Sequence, residues 1–409
     1  MPRTLSISGA VLLTTAFMLV VGVVNLKCAS SQLALSPRSS LGFTYNAAGR
    51  TQKNNGNIHE QKITVPGMSG SGFLVQSYTY DALNRLAIAA EHTAVPSSIV
   101  CQDSGSEWCR GFGYDRYGNR SVPAETNAPA DLRQPQTFVA TTNRVNDAGW
   151  TYDKAGNVTE LNLATELKHS MAYDANNRQT AFCTAAGDLG GNCAPVPAAG
   201  RTLYHYDAQG NRVKKSGPSG TSLYVYDAFG KLAAEYKDSG TPTPGTFYRT
   251  VDHLGSTRLV TDGLGDPVEN TDYLPFGEEI DVSSGDPRHN VAAYGSPGQL
   301  RHKFTGKERD SESGMDYFLA RYYSGPMGKF TSIDPVEVTI EGSRIPQKWN
   351  RYTYARNNPL AFVDPDGKEE RTFIHETDIP TATATEPFTR RTFKGGAKIA
   401  DRRDSRVGR

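Results

Sequence analysis

Short stretches of alternating hydrophobic and polar residues run along the middle of the chain, and each stretch ends on an aromatic residue followed by a polar turn. Leu203 and His205 lead into Tyr206 in this way, and Leu223 leads into Tyr226. Alternation with a period of two is typical of β-strands. A Gly or Asn after each turn's Asp supplies the positive φ that a tight turn requires. The pattern therefore predicts β-hairpins.

The aromatic-Asp turn is an internal repeat that occurs seven times. The copies begin at Tyr45-Asn46, Tyr80-Asp81, Tyr114-Asp115, Tyr152-Asp153, Tyr173-Asp174, Tyr206-Asp207 and Tyr226-Asp227. A lone hairpin is marginally stable, so we expect an all-β fold in which one extended antiparallel sheet curls into a partial or complete shell. Each Tyr is expected to plug the space between hairpins, and each Asp to bond amides of its own turn. Stacking of exposed tyrosines on sugars is the alternative.

An uncharged, largely apolar run from Ile7 to Val24 follows Arg3. Its length of about 18 residues suits either a signal peptide or a single membrane anchor, and length alone does not choose between them. We therefore expect an apolar helix within residues 1–30. It would direct a bacterial protein to secretion or to the cell envelope, with membrane contact only through residues 7–24.

Four cysteines beyond Cys28 lie in two close pairs. Cys101 and Cys109 are 8 residues apart, and Cys183 and Cys193 are 10 residues apart. In an oxidising compartment such spacings close local loops, so the preferred prediction is one disulfide within each pair. The two other pairings and free buried thiols are the alternatives.

Composition and charge remove several classes of function. The 44 Lys and Arg against 43 Asp and Glu leave a formal charge of +1, so no basic field attracts nucleic acid. A hydrophobic share of 37% argues against a multi-span membrane protein. The eight histidines are widely scattered and no Cys-x-x-Cys pair is present. We therefore predict no metal site and no cofactor.

After residue 240 the repeat gives way to an ordered series of motifs. They are D-H-L-G-S-T-R at 252–258, Y-L-P-F-G-E at 273–278, F-T-G-K-E-R-D at 304–310, G-M-D-Y-F-L-A-R-Y-Y at 314–323, G-K-F-T-S-I-D-P at 328–335, N-R-Y-T-Y-A-R-N-N-P-L at 350–360 and V-D-P-D-G at 363–367. Together with the Tyr-Asp repeat, this series resembles the Rhs repeat-associated core domain of bacterial Rhs, or YD-repeat, proteins. The resemblance covers residues 40–367 and divides the chain into repeats (31–240), core domain (241–367) and tail (368–409).

The resemblance implies a sheet that spirals into a hollow shell, closed at one end by the core domain, with a variable C-terminal segment as cargo. In such proteins the cargo is commonly a toxin. The leading hypothesis is an exported structural shell protein that takes part in toxin encapsulation and delivery during contact-dependent competition. Its expected partners are its own C-terminal segment or other shell-forming subunits. The rival hypothesis is a cell-surface adhesion protein that binds glycans.

The resemblance also implies self-cleavage just after the core, by paired Asp residues that share a proton when they are held close. Asp334 and Asp364 occupy the two Asp-Pro positions. The chain departs from the family pattern at two places. Glu337 stands where Gly is usual, and Lys368 stands where the scissile Leu usually follows Gly367. Two Asp-Pro turns that cap strands are the alternative.

The tail, residues 368–409, has ten Lys and Arg against seven Asp and Glu, a net charge of +3. Its few large apolar residues are too sparse for a sizeable core. We therefore predict a mostly disordered tail, with a truncated toxin as the alternative.

Overall fold

The structure is a computed structural model that describes residues 39–45, 56–96, 99–101, 106–126, 135, 137–162, 168–184, 200–230, 232–238, 245–282, 284–296, 298, 300–337 and 342–372, and the strand at 384–387. Within these ranges the all-β prediction is confirmed. The chain forms antiparallel strands and four single 3-10 turns, at Phe304–Gly306, Gly342–Arg344, Pro346–Lys348 and Ala355–Asn357. This part of the chain has no helix long and apolar enough to cross a membrane. The apolar helix predicted at residues 7–24 lies outside the described ranges.

The first repeat sheet contains six strands that pair in chain order, each antiparallel to the next. They are β1 (Ser40–Thr44), β2 (Glu60–Thr64), β3 (Phe73–Tyr80), β4 (Leu86–His92), β5 (Trp108–Tyr114) and β6 (Arg120–Thr126). The predicted Cys101–Cys109 disulfide is present and links the β4–β5 connection to β5, with its Cα atoms 5.1 Å apart.

The second repeat sheet contains eight strands, also antiparallel and in chain order. They are β7 (Thr151–Tyr152), β8 (Val158–Asn162), β9 (Lys168–Tyr173), β10 (Gln179–Thr184), β11 (Arg201–Tyr206), β12 (Arg212–Gly217), β13 (Gly220–Tyr226) and β14 (Leu232–Lys237). Cys183 on β10 is disulfide-bonded. Its predicted partner, Cys193, lies outside the described residues.

The repeats therefore occupy two sheets, where we expected one continuous sheet. The division falls between β6 and β7, in the longest interval between repeat tyrosines. Among the described residues of that interval outside the two sheets, Phe138 and Val145 form an isolated bridge. The interval between Tyr114 and Tyr152, part of which lies outside the described residues, separates the two hairpin series.

The core motifs form three smaller antiparallel sheets. The first contains β15 (Tyr248–Val251), β16 (Thr257–Thr261) and β17 (Pro267–Asn270). The second contains β18 (Glu308–Asp310), β19 (Met315–Tyr317), β20 (Tyr322–Ser324) and β21 (Lys329–Phe330). The third pairs β22 (Phe362–Val363) with β23 (Arg371–Thr372).

Two short strands are described in the tail, which we predicted to be mostly disordered. Strand β23 belongs to the tail, and a further tail strand, β24 (Ala384–Pro387), pairs antiparallel with β1. Without β24, β1 would be an edge strand, and the unpaired backbone groups of an edge readily accept another strand. This pairing needs only backbone groups, so the sparse apolar residues of the tail gave no sign of it.

The core region fills the space that both repeat sheets enclose. Phe276 of the core packs with Trp108 of the first sheet in one apolar cluster, and Met315 packs with Phe182 of the second sheet in another. A third cluster is built from core aromatic residues, namely Tyr273, Phe304, Phe318, Tyr323, Phe330 and Tyr354. The two sheets therefore curve around a shared core and form part of a shell.

In the six repeat turns that the structure describes, the side chain of the turn's own Asp accepts N–H groups of that turn. In the sixth copy, Asp207 Oδ1 accepts the Asn211 N–H at 2.8 Å, and Asp207 Oδ2 accepts the Asn211 side-chain amide at 2.9 Å. Gly210 has φ +90°, a left-handed conformation that costs glycine little. Two core turns, at Asp252 and Asp262, close in the same way without a preceding aromatic residue. They escaped our sequence analysis because we required that aromatic residue.

Four repeat tyrosines fasten neighbouring strands through their hydroxyl groups. The hydroxyl of Tyr206, at the end of β11, donates to the carbonyl of Gln179 at 2.6 Å, and Gln179 is the first residue of β10. Tyr226 on β13 donates at 3.0 Å to Arg212, the first residue of β12. Tyr80 and Tyr114 also donate to backbone carbonyls, each at 2.7 Å.

We predict that Tyr206→Ala lowers the free energy of unfolding by about 3–5 kcal/mol, because it empties the space between hairpins. Tyr206→Phe should cost about 1 kcal/mol, the usual contribution of one hydrogen bond. Tyr236 in the same sheet is 62% exposed and serves as the control. Its change to Ala should cost less than about 0.5 kcal/mol. Urea unfolding of the three variants checks this, and similar losses for both Ala variants would contradict the plug role.

Candidate functional site

Among the described residues, six arginines with little exposed surface lie where the repeats meet the core or within the core itself. They are Arg110, Arg120, Arg212, Arg258, Arg288 and Arg321. Removing a guanidinium from water costs several kcal/mol unless anions and hydrogen-bond acceptors surround it. The partners of these arginines therefore determine which parts of the chain must meet.

Arg212, the first residue of β12, ties the second repeat sheet to the core. Its Nη1 lies 2.6 Å from Asp310 Oδ2 and 2.6 Å from the Tyr322 hydroxyl, and its Nη2 lies 2.6 Å from Glu308 Oε2. Its guanidinium carbon is 4.3 Å from the ring centroid of Tyr317. The contact joins two regions that are 98 residues apart in sequence.

The first repeat sheet is tied to the core in the same manner. Arg288 of the core places Nη1 2.9 Å from Oε1 of Glu91 on β4, and it also binds Asp272. A second pair has the cation on the repeat sheet and the anion on the core. Arg110 on β5 places Nη1 2.7 Å from Glu278 of the core. Charged groups from both sides are buried in these contacts, so the repeats and the core stabilise each other.

Arg321 brings together the two Asp residues that the sequence singled out. Its Nη2 lies 3.0 Å from Asp334 Oδ2 and 3.1 Å from Asp364 Oδ2. The face of the Phe330 ring lies 3.6 Å from its guanidinium carbon. Two carboxylates that are 30 residues apart in sequence thus contact one nitrogen atom.

The same arrangement surrounds the peptide bond between Gly367 and Lys368. Arg321 Nε donates to the Gly367 carbonyl oxygen at 2.6 Å, and the Lys368 N–H donates to Asp364 Oδ1 at 3.0 Å. A Cβ atom at Gly367 would lie 2.6 Å from the Phe318 carbonyl oxygen, so glycine is required there. This peptide bond therefore has a cation at its oxygen and a carboxylate at its nitrogen.

Burial raises the pKa of both Asp334 and Asp364 above the ordinary Asp value, although Arg321 acts in the opposite direction. The Asp334 side chain is 22% exposed and borders a cleft that Lys368 also lines. Water therefore reaches Asp334, whereas the Asp364 side chain is 4% exposed. The two carboxyl groups bind a proton at higher pH than isolated Asp side chains do.

Glu308 and Asp310, the core acids that pair with Arg212 of the second repeat sheet, were not recognised from the sequence. Both lie in the F-T-G-K-E-R-D motif, and two acids at alternate positions of a short strand were the available signal. In the part of the chain that the structure describes, no group of three or more His, Cys, Asp or Glu is placed to hold a metal ion.

Sequence comparison finds relatives among bacterial toxins. The chain is 27% identical to the tRNA nuclease WapA of Bacillus subtilis over 63% of its own length and 11% of WapA. It is 25% identical to toxin subunit YenC1 of Yersinia entomophaga over 71% of its own length and 33% of YenC1. No family model matches the chain.

Structure comparison agrees with the sequence comparison. The fold matches a chain in the structure of the Photorhabdus luminescens Tc holotoxin pore with a TM-score of 0.52 and 19% identity, over 80% of this chain and 17% of that one. It also matches TcdB2-TccC3 without its hypervariable C-terminal region, with a TM-score of 0.52 and 20% identity, over 82% of this chain and 17% of that one. The chain is an Rhs (YD-repeat) protein.

The Rhs chain is short beside these relatives, since it spans between about a tenth and a third of the two toxins it matches in sequence. It spans 17% of the matched chain in the Tc structure. The activities named for the relatives belong to those whole proteins.

We predict that Arg212→Ala in this Rhs chain costs about 3–5 kcal/mol of unfolding free energy, because the buried Asp310 and Glu308 would lose their fully buried cation and would keep Lys215 and Arg301, which are more exposed. Arg178 closes the turn of the preceding repeat copy, at the position that Asn211 holds next to Arg212, and its pair with Asp174 is partly exposed. Arg178→Ala should therefore cost about 1 kcal/mol or less. Urea unfolding of both variants provides the comparison, and equal losses would argue against docking by buried charge.

Proposed function

We propose that this Rhs chain forms part of an exported shell that encloses a toxic C-terminal segment and delivers it to a neighbouring cell. The observation that carries the proposal is the attachment of both repeat sheets to one core by buried ion pairs. Similarity to named toxins on both sequence and fold supports a toxin-related role.

The two repeat sheets need additional strands to form a closed shell. Long sheets avoid exposed edges by curling and pairing, and the matched Tc chain is several times longer than the region it shares with this chain. The additional strands would come from further segments of the same polypeptide or from other shell-forming subunits. The tail, which follows the core, occupies the place of the cargo.

The delivery role is tested by competition between bacteria. A strain that produces the native protein should outgrow neighbours that lack the corresponding immunity, and a strain that produces the Arg212→Ala variant should lose this advantage because the wall is weakened. The Arg178→Ala strain is the matched control and should keep it. Equal survival of neighbours beside all three strains would contradict a role in delivery.

A second proposed activity is self-cleavage of the Gly367–Lys368 bond. The supporting observation is the pair of contacts at that peptide, with Arg321 at its carbonyl oxygen and Asp364 at its nitrogen. A cation stabilises the negative charge that develops on a carbonyl oxygen under attack. A carboxyl group next to the nitrogen is placed to protonate the departing amine.

In the proposed reaction, Asp334 takes a proton from a water molecule that adds to the Gly367 carbonyl carbon. The C–N bond to Lys368 then breaks, and Asp364, in its protonated form, gives its proton to the Lys368 nitrogen. The products are a carboxyl group at Gly367 and an amino group at Lys368. The reaction needs one carboxylate and one carboxylic acid, which is the state that a close pair of acids favours.

We predict that protein kept at mildly acidic pH splits into fragments ending at residue 367 and beginning at residue 368. Asp334→Asn and Asp364→Asn should each prevent the split, whereas Glu369→Gln, at an exposed acid just after the bond, should leave it unchanged. Because burial raises the pKa of both acids, the rate should be bell-shaped with its optimum above the ordinary Asp pKa of about 4. Denaturing mass spectrometry measures the fragments, and an uncleaved native chain across the pH range would refute this activity.

A further inference from the structure

A lysine side chain is buried between the core and the first repeat sheet. Lys329, on β21, is 3% exposed, and its Nζ lies 2.6 Å from Oδ1 of Asn119, a residue 210 positions earlier in the chain. The ring centroid of Phe138 lies 4.2 Å from the same Nζ. Asn119 belongs to the third repeat turn and is 1% exposed. An amine and a carboxamide therefore meet in a site that excludes bulk water.

The carboxamide of Asn119 is fixed by four hydrogen bonds. Its Nδ2 donates to Asp115 Oδ2 at 2.8 Å and to Asn143 Oδ1 at 2.9 Å. Its Oδ1 accepts from Lys329 Nζ at 2.6 Å and from Asn350 Nδ2 at 2.7 Å. These partners orient the carbonyl group towards Lys329 and the amide nitrogen towards the Asp115 carboxylate.

We propose that Lys329 and Asn119 join in an intramolecular isopeptide bond that locks the core to the first repeat sheet. The Nζ of Lys329 bonds to the Cγ of Asn119, the bond between Cγ and Nδ2 breaks, and ammonia leaves. No oxidant, reductant or co-reactant is required. The product is a secondary amide that crosses from β21 to the third repeat turn.

The surroundings supply each element that this reaction needs. Attack requires the neutral amine, and burial lowers the pKa of Lys329 to about 7, with Arg120 acting in the same direction and Asp115 opposing it. The Asn350 amide donates to the carbonyl oxygen, where negative charge develops. Asp115 accepts the proton that Nζ loses and passes it to the departing Nδ2, which it already contacts. The amine has to move from the carbonyl oxygen to the carbon, a shift of about one C=O bond length, roughly 1.2 Å.

The next repeat copy contains a matched control. Asn157 is also 1% exposed, and its Nδ2 donates to Asp153 Oδ2 at 2.8 Å and to Asn177 Oδ1 at 2.9 Å, which repeats the contacts of Asn119. Its Oδ1 has no hydrogen-bond partner within the described residues. The two asparagines thus have the same kind of turn and an equivalent Asp neighbour. Asn119 accepts a hydrogen bond from a lysine, and Asn157 does not.

The test is peptide mapping of the folded native protein after incubation at pH 8, with disulfides reduced before digestion. We expect a branched tryptic peptide that joins the segments around residues 119 and 329, lighter by one ammonia than the two segments together, and no tryptic cleavage after Lys329. The fraction joined should grow faster as the pH rises through 7, because more of the amine is neutral. Separate, unmodified peptides from aged folded protein would overturn the proposal on their own.

Variants assign the roles. Lys329→Met and Asn119→Ala should abolish the branched peptide, whereas Asn157→Ala should retain it. Asp115→Asn should slow its formation by about 100-fold, the lower range for a general acid–base catalyst. A branched peptide that persists in Lys329→Met, or one that forms equally fast in Asp115→Asn, would contradict the assigned chemistry. The native protein decides the main question even if a variant does not fold.

Discussion

The energetic cost of a buried, unpaired guanidinium governs the architecture of this protein. A carboxylate partner offsets that cost only at close range, so a buried arginine that pairs with a distant acid determines which parts of the chain must meet. Arg212 needs Asp310, and Glu91 needs Arg288. Hairpins that would be only marginally stable alone are therefore stabilised by packing against the core. Separating them from the core would leave buried charges without partners. The aromatic clusters around these contacts keep water out and so maintain the strength of the ion pairs.

Much of the fold was predictable because its rules are local. The Tyr-Asp spacing fixed where strands end, and the Asp side chain and the following Gly or Asn determine the turn within five residues. The Cys101–Cys109 pair was predictable for the same reason, since eight residues separate the two. The division into two sheets was harder to foresee, because it falls in the interval between Tyr114 and Tyr152, whose sequence carries no further repeat copy.

The candidate site was only half predictable. Asp334 and Asp364 stood out from the sequence, but their meeting at Arg321 depends on tertiary contacts among three separate motifs. The same limit applies to Lys329 and Asn119, which look like an ordinary strand lysine and an ordinary turn asparagine when each is read in its own segment. Their chemistry arises from burial and from a neighbour more than 200 residues away, and neither is visible in local spacing.

The pairing of β23 with β22 and of β24 with β1 affects what breaking the chain after Gly367 would accomplish. Both strands lie downstream of that bond, and their hydrogen bonds to upstream strands do not depend on chain continuity. A nicked molecule would therefore remain a single particle, with its two fragments held together as in a noncovalent heterodimer. Hydrolysis would remove the covalent link between the fragments. The lifetime of the assembled particle would then depend on the rate at which β23 and β24 dissociate from their partner strands. Scission and departure would then be separate events, and departure would respond to pulling force or a denaturing environment.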